Sequence, residues 1–444
     1  MKRMLSAILA AMLSAACFGG CAGSDKEKVD TVCVWTSDGG GKSTWAKLTD
    51  DFNRTVGKQK KVKIEWTTFS GEYSSVVGEA YEKGSLPDIV ALSEKQTIDF
   101  AKSGDILPLE DFTGGSNFVQ RYEAITPNRI KIIDGKVYGV SSTSNVAGLI
   151  YNKDLFKKAG IVDANGEPVP PKTFAQMREY AKRITDKKKN IYGYSYPMNF
   201  SSMYSVTNPV STSARIKYDV KSTTADMSEF KPMLQTLLDM KSDGSLFPGA
   251  KTLDNDTSRM YFAEGKIGMM AGISWDVAVL TTQFVANCDW AVAPFPTFDG
   301  TMKYPAWHDL SGSYAITKNA KKIDDEKIMA VYEFMYSRDT RMALYENNVR
   351  ISCMTDVMEH ADESKLLPQF KQFSQIFDES YRADTLIPVA TGGLPSVWKD
   401  VWEGEITLDE MIDNWNKMES SVLAKKIKSG EITLINTERK VTHT

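Results

Sequence analysis

Three short apolar runs, each followed by a helical pattern, constrain the fold more than any other feature of this chain. Thr31-Val-Cys-Val-Trp35 reads as a buried strand, Val62-Lys-Ile-Glu-Trp66 as a second, and Pro87-Asp-Ile-Val-Ala-Leu92 as a third. Between the first two, Ser43 to Phe52 sets Trp45, Leu48 and Phe52 at helical spacing. Strands separated by helices of this length predict parallel βαβ units with helices on both faces of a sheet. A chain of 444 residues exceeds one typical core and predicts two domains.

The middle of the chain repeats the theme less regularly. Gly135 to Val140 and Ala147 to Phe156 are apolar and strand-like, around a polar Ser-Ser-Thr-Ser-Asn145. Pro170-Pro171-Lys172 leads to Thr173, a suitable N-cap, with Phe174, Met177, Ala181 and Ile184 forming the helix stripe. The pattern then reads as mostly helical to about Phe262, broken by a long loop around Tyr196 to Ser213. Asp289 to Pro296 is a strand running into prolines, and helical patterns dominate from Ile323 onward. The apolar stretch Ile267 to Ala286 carries Trp275 and Asp276 at its centre, which marks a buried segment with a turn and not a membrane span.

The N-terminus adds an address. Met1-Lys2-Arg3, an apolar run from Met4 to Cys17 and then Phe-Gly-Gly-Cys21 describe a secretory leader ending at a cysteine. This is the pattern in which a bacterial lipoprotein takes a lipid on sulfur. Cys21, after Gly19-Gly20, is the preferred anchor and Cys17 the alternative; neither has the usual leucine three places earlier. Residues 1–20 then form the leader and 21–30 a charged tether. Losing Lys2 and Arg3 leaves 52 basic residues against 57 acidic ones, which gives no footprint for nucleic acid. Cys33, Cys288 and Cys353 are too few and too dispersed for a disulfide framework or a zinc site. His308, His360 and His443 have no metal-ligand spacing. No cofactor and no metal are expected.

Six further segments, in this order along the chain, carry a resemblance. They are Gly-Ser-Leu-Pro-Asp88-Ile-Val, Gly-Asp-Ile-Leu-Pro-Leu109, Asp-Gly-Lys-Val-Tyr-Gly-Val140, Leu-Ile-Tyr-Asn-Lys-Asp-Leu-Phe-Lys-Lys-Ala-Gly160, Pro-Pro-Lys-Thr-Phe174 and Phe262-Ala-Glu-Gly-Lys-Ile-Gly-Met-Met270. Together they resemble the family-one, sugar-type solute-binding proteins of ABC importers. The resemblance implies an α/β, two-lobed periplasmic-binding-protein-like fold, with hinged lobes, interleaved chain crossings and a ligand cleft between them. It places residues 31–145 and 312–352 in lobe 1, and 146–311 and 353–444 in lobe 2. It also implies a non-enzymatic, monomeric receptor that passes a carbohydrate to permease subunits. The receptor would sit on the extracytoplasmic face of the membrane and touch it through its N-terminal lipid alone.

A sugar site needs flat aromatic faces for the apolar side of the ring and planar polar groups for its hydroxyls. Trp275 sits where related sugar binders present a stacking aromatic, flanked by Ser274 and Asp276; the alternative is a core tryptophan. Trp307, His308, Gly312 and Ser313 lie at the return crossing. Trp35, Ser37 and Asp38 end the first strand, where open α/β sheets bind ligands. Glu72 and Tyr73 follow the second strand, and Glu94 follows the third. Asn145 lies in the first crossing, Tyr196 and Asn199 in a loop that commonly faces cargo, and Gly392 at the far rim.

Three rivals deserve weight. Gly41-Lys-Ser follows a strand and precedes a helix, as in a phosphate-binding P-loop, but the first glycine of that motif is replaced by Thr36. A secreted glycosidase would need paired carboxylates, and no acid stands in a catalytic pattern. Glycerol phosphate or a glycerophosphodiester could occupy the same fold, using Arg382 and Gly39 to Gly41 to bind phosphate.

Overall fold

The computed structural model describes residues 28–69, 73–125, 130–198, 208–219, 221–304, 306, 308–311, 313–377 and 393–429. The chain divides into two compact units. The first comprises Met1–Thr143, Leu310–Asn347 and Ser352–Ala361; the second comprises Ser144–Asp309, Asn348–Ile351 and Asp362–Thr444. Nine strands lie on the linear paths of their five- and six-stranded main sheets: β1 (Asp30–Thr36), β2 (Val62–Thr68), β3 (Ile89–Ala91), β4 (Ile106–Leu107), β5 (Thr143–Asn152), β6 (Tyr192–Ser195), β7 (Ile267–Ile273), β8 (Trp290–Ala293) and β9 (Tyr314–Thr317).

In the first unit the order is β2-β1-β3-β9-β4. β1 runs parallel to β2 and β3, as the spacing predicts. β9 departs from that expectation, because it lies antiparallel between β3 and β4 and makes the sheet mixed. The strand arrives from more than 200 residues downstream, so no local pattern announces it. Its Thr317 is bound through N–H to Asp88 O at 2.9 Å and through Oγ1 to Pro87 O at 2.6 Å. The helix Lys42–Arg54 covers this sheet with Trp45 and Phe52 buried.

The second unit follows the path β8-β5-β7-β6. β5 is antiparallel to β8 and β7, whereas β6 is parallel to β7. The apolar run to Phe156 is not all strand. Asn152 Oδ1 accepts from Leu155 N–H at 3.0 Å and starts the helix Lys153–Lys158, since an N-cap side chain satisfies an otherwise orphaned amide. Thr173 and Gln176 form a reciprocal capping box, and the stripe Phe174, Met177, Ala181 and Ile184 is buried. β6 lies in a stretch read from the sequence as helical. Its Gly193 permits the helix to press on the strand: a Cβ there would stand 2.1 Å from Ala181 Cα.

The first two crossings lie within two residues of those expected, at 143/144 and 309/310, and the third is divided. Ser352–Ala361, placed above in lobe 2 from residue 353, belongs to the first unit, while Asn348–Ile351 is a four-residue excursion into the second. Cys353 N–H donates to Ser142 O at 3.1 Å, and Arg338 pairs with Asp356, which fixes the returning segment.

Candidate functional site

In the first unit, the residues after β1 turn inward. Asp38 is 7% exposed; its carboxylate accepts from the Trp45 indole N–H at 3.1 Å and from Gly41 N–H at 3.3 Å. That carboxylate, expected to meet cargo, braces the loop against the helix. Trp45 stacks on Trp66 with centroids 4.0 Å apart, and the Arg341 guanidinium lies 5.6 Å from the Trp45 centroid. Trp35 is half-buried against Phe69, and its carbonyl accepts from Tyr73 Oη at 3.0 Å. Tyr73 Oη also donates to Ala91 O at 3.0 Å, so this hydroxyl ties two strands together, and burial holds its pKa above the ordinary value. Ser37 is exposed and Ser313 half-buried.

The P-loop resemblance fails here on its donors. Gly41 N–H serves Asp38, and Lys42 N–H donates to Gly39 O at 3.2 Å, so amides that would cradle phosphate close the turn instead.

In the second unit, β7 ends at a turn that holds Trp275 half-buried. Two buried struts set this turn. Ser274 N–H donates to Val146 O at 3.0 Å, and Ser274 Oγ accepts from Val146 N–H at 3.4 Å. Asp276 accepts from Ile273 N–H at 2.7 Å and pairs with Arg259 through Nε at 2.7 Å and Nη2 at 2.5 Å. Burial works against the Arg259 charge, yet Asp276 and Asp256 hold its pKa above the usual value. Asp276, expected as a ligand contact, frames the turn through these bonds, and with Trp275 it borders a small concavity. That concavity is also lined by Pro197, Asn255, Arg259, Gly272 and Ile273. A larger groove of about 640 Å³ lies elsewhere, between the helices Phe174–Ile184 and Lys231–Asp243. Its two arginines are already engaged: Arg178 is bound to Asp239 and Asp243 at 2.7 Å each, and Arg183 donates to Ala159 O at 2.9 Å and Gly160 O at 3.0 Å.

Tyr196 is not at a surface: it is fully buried against Trp402 in the core. Asn145 is 2% exposed within β5. Glu94 opens the helix Glu94–Ser103, and His308 opens the strand His308–Ser311. Glu72, Asn199, Trp307, Gly312, Gly392, Cys17 and Cys21 lie outside the described residues, as does Arg382. The sequence reading missed Arg259, whose partner is 17 positions away, and gave Arg350 no role. The Arg350 guanidinium stands 5.9 Å from the Trp275 ring centroid. Among the described residues no group of His, Cys, Asp and Glu is arranged to hold a metal ion, and no helix is long and apolar enough to cross a membrane.

The family model of the bacterial extracellular solute-binding proteins matches residues 36–342. The chain belongs to this family. Among curated members of known cargo, the diacetylchitobiose binding protein DasA of Streptomyces coelicolor is 26% identical over 343 residues, covering 73% of this chain and 76% of that protein. The GacH receptor of Streptomyces glaucescens, solved unliganded and with acarbose, superposes with a TM-score of 0.69 at 21% identity, over 90% of this chain and 99% of that one. The maltose/maltodextrin-binding domain MalE of Bdellovibrio bacteriovorus, bound to maltotriose, gives 0.66 at 18% identity, over 90% and 100%. The two α/β units of this solute-binding protein are those of the two-lobed fold of these neighbours.

Proposed function

We propose that this solute-binding protein is the non-enzymatic capture component of an ABC importer, that its cargo is an oligosaccharide, and that it is held to the membrane by a lipid on Cys21, with Cys17 the alternative. The observation that carries the reading is the half-exposed indole of Trp275 at the carboxyl end of β7, framed by buried polar struts. An indole face of this kind suits the apolar side of a sugar ring, and its fixed backbone lowers the entropy lost on binding. The carbohydrate cargoes of DasA and the MalE domain agree with this choice. Export of the chain and the occupied amides around Gly41 count against ATP.

Calorimetry of the leaderless protein against maltotriose, diacetylchitobiose and other oligosaccharides tests the reading, with sn-glycerol 3-phosphate and glycerophosphodiesters as the rival set. Saturable binding of a sugar is expected. Trp275→Ala should weaken it by about 2 kcal/mol, roughly 30-fold, if the indole anchors the ring. Binding confined to the phosphate set would replace the carbohydrate reading. Mass spectrometry of the mature N-terminus distinguishes Cys21 from Cys17.

A further inference from the structure

Asn348–Ile351 leaves the first unit for four residues, and its place on the second is firmly set. Asn348 adopts a left-handed conformation with φ of 59°. Its amide bridges to the neighbouring loop, donating to Lys365 O at 3.1 Å and accepting from Leu367 N–H at 2.7 Å. Ile351, at the other end, has no exposed surface. Between these two anchors Arg350 is half-buried, and its guanidinium reaches over the Trp275 ring. A guanidinium within about 6 Å of an indole centroid is attracted by the ring quadrupole, and stacking restricts the indole torsions.

We propose that Arg350 is the positioning residue of the ligand site: by stacking on Trp275 it holds the indole in the orientation that a sugar ring meets. The inference rests on the reading that Trp275 carries the ligand. The backbone of Trp275 is set by Ser274 and Asp276, and the Arg350 guanidinium, 5.9 Å from the ring centroid, acts on the side chain.

The test is a double-mutant cycle measured by calorimetry, using whichever of maltotriose and diacetylchitobiose binds the wild-type protein. Arg350→Ala, and Arg350→Met with its aliphatic stem kept, should each weaken binding about 10-fold. Arg350→Lys should recover part of that loss, because the charge is retained and the planar stack is not. In a Trp275→Ala background, Arg350→Ala should change affinity by less than about 2-fold, since there is no longer a ring to hold. A merely structural arginine would lower the melting temperature and leave affinity alone. Unchanged affinity in Arg350→Ala and Arg350→Met, or an equal loss with and without the Trp275 ring, overturns this inference while the carbohydrate reading stands. A wild-type protein that binds no oligosaccharide overturns both.

Discussion

The two units treat an aromatic beside an acid in opposite ways. In the first, Asp38 follows β1 and takes the indole N–H of Trp45, which is 1% exposed and stacked on Trp66. In the second, Asp276 follows β7 and takes a guanidinium and a backbone amide, so the Trp275 indole remains half-buried. Both acids are buried and both stabilise a turn after a strand. The acid's partner differs with the fate of the indole: the indole itself where the ring is core, a guanidinium where the ring is half-exposed.

The strongest way to break that comparison is to truncate both indoles. Trp45→Ala removes a fully buried ring and should cost about 3–5 kcal/mol by urea unfolding. Trp275→Ala, already half in solvent, should cost under about 1 kcal/mol. Similar losses at the two sites would erase the distinction. Next in size is the frame of the Trp275 turn. Arg259→Met leaves Asp276, 5% exposed at its side chain, without its guanidinium, and should cost about 3 kcal/mol. The expected signature is a lowered urea midpoint together with weaker oligosaccharide binding, because the turn that presents the indole loosens. A variant as stable as wild type would show that the ion pair does not frame the turn.

Much of the fold was legible where structure is local. The parallel start β1, β2, β3 and the Thr173-capped helix with its stripe follow from period and capping chemistry over a dozen residues. β9 and β6 were missed because each is four residues long and is defined by partners remote in sequence. Cys353–Ala361 falls in the first unit and not with the residues after it for the same reason: the Arg338 pair and the Cys353 amide bond that hold it are tertiary. At the site, the sequence singled out Trp275, Asp38 and Asp276, but not the bracing bonds that the two acids make. A carboxylate after a strand looks the same in sequence whether it awaits cargo or braces a turn. The bracing contacts to Trp45 and Arg259 come from residues 7 and 17 positions away and become visible only in the fold.

Acid offers a milder way to sharpen the contrast, because one prominent carboxylate in each unit is perturbed in the opposite direction. Asp88, in the first unit, is 1% exposed, and burial pushes its pKa up despite the Cys33 amide and Lys322. Its folded form prefers the proton, so its contribution to stability grows as pH falls through the range just above 3.8. Glu229, in the second unit, feels burial too, but Lys303, Lys217, the Arg215 amide and Tyr304 outweigh it and hold its pKa at about 2 against an ordinary 4.5. Its contribution is complete above pH 4.5 and is lost as pH falls toward 2. With both lysines half in solvent, that contribution is about 1–2 kcal/mol. Glu229→Gln should therefore lower the urea midpoint at pH 7 and flatten its decline between pH 4.5 and 3. A decline as steep as in the wild type would mean that the acid sensitivity of the second unit lies in other carboxylates.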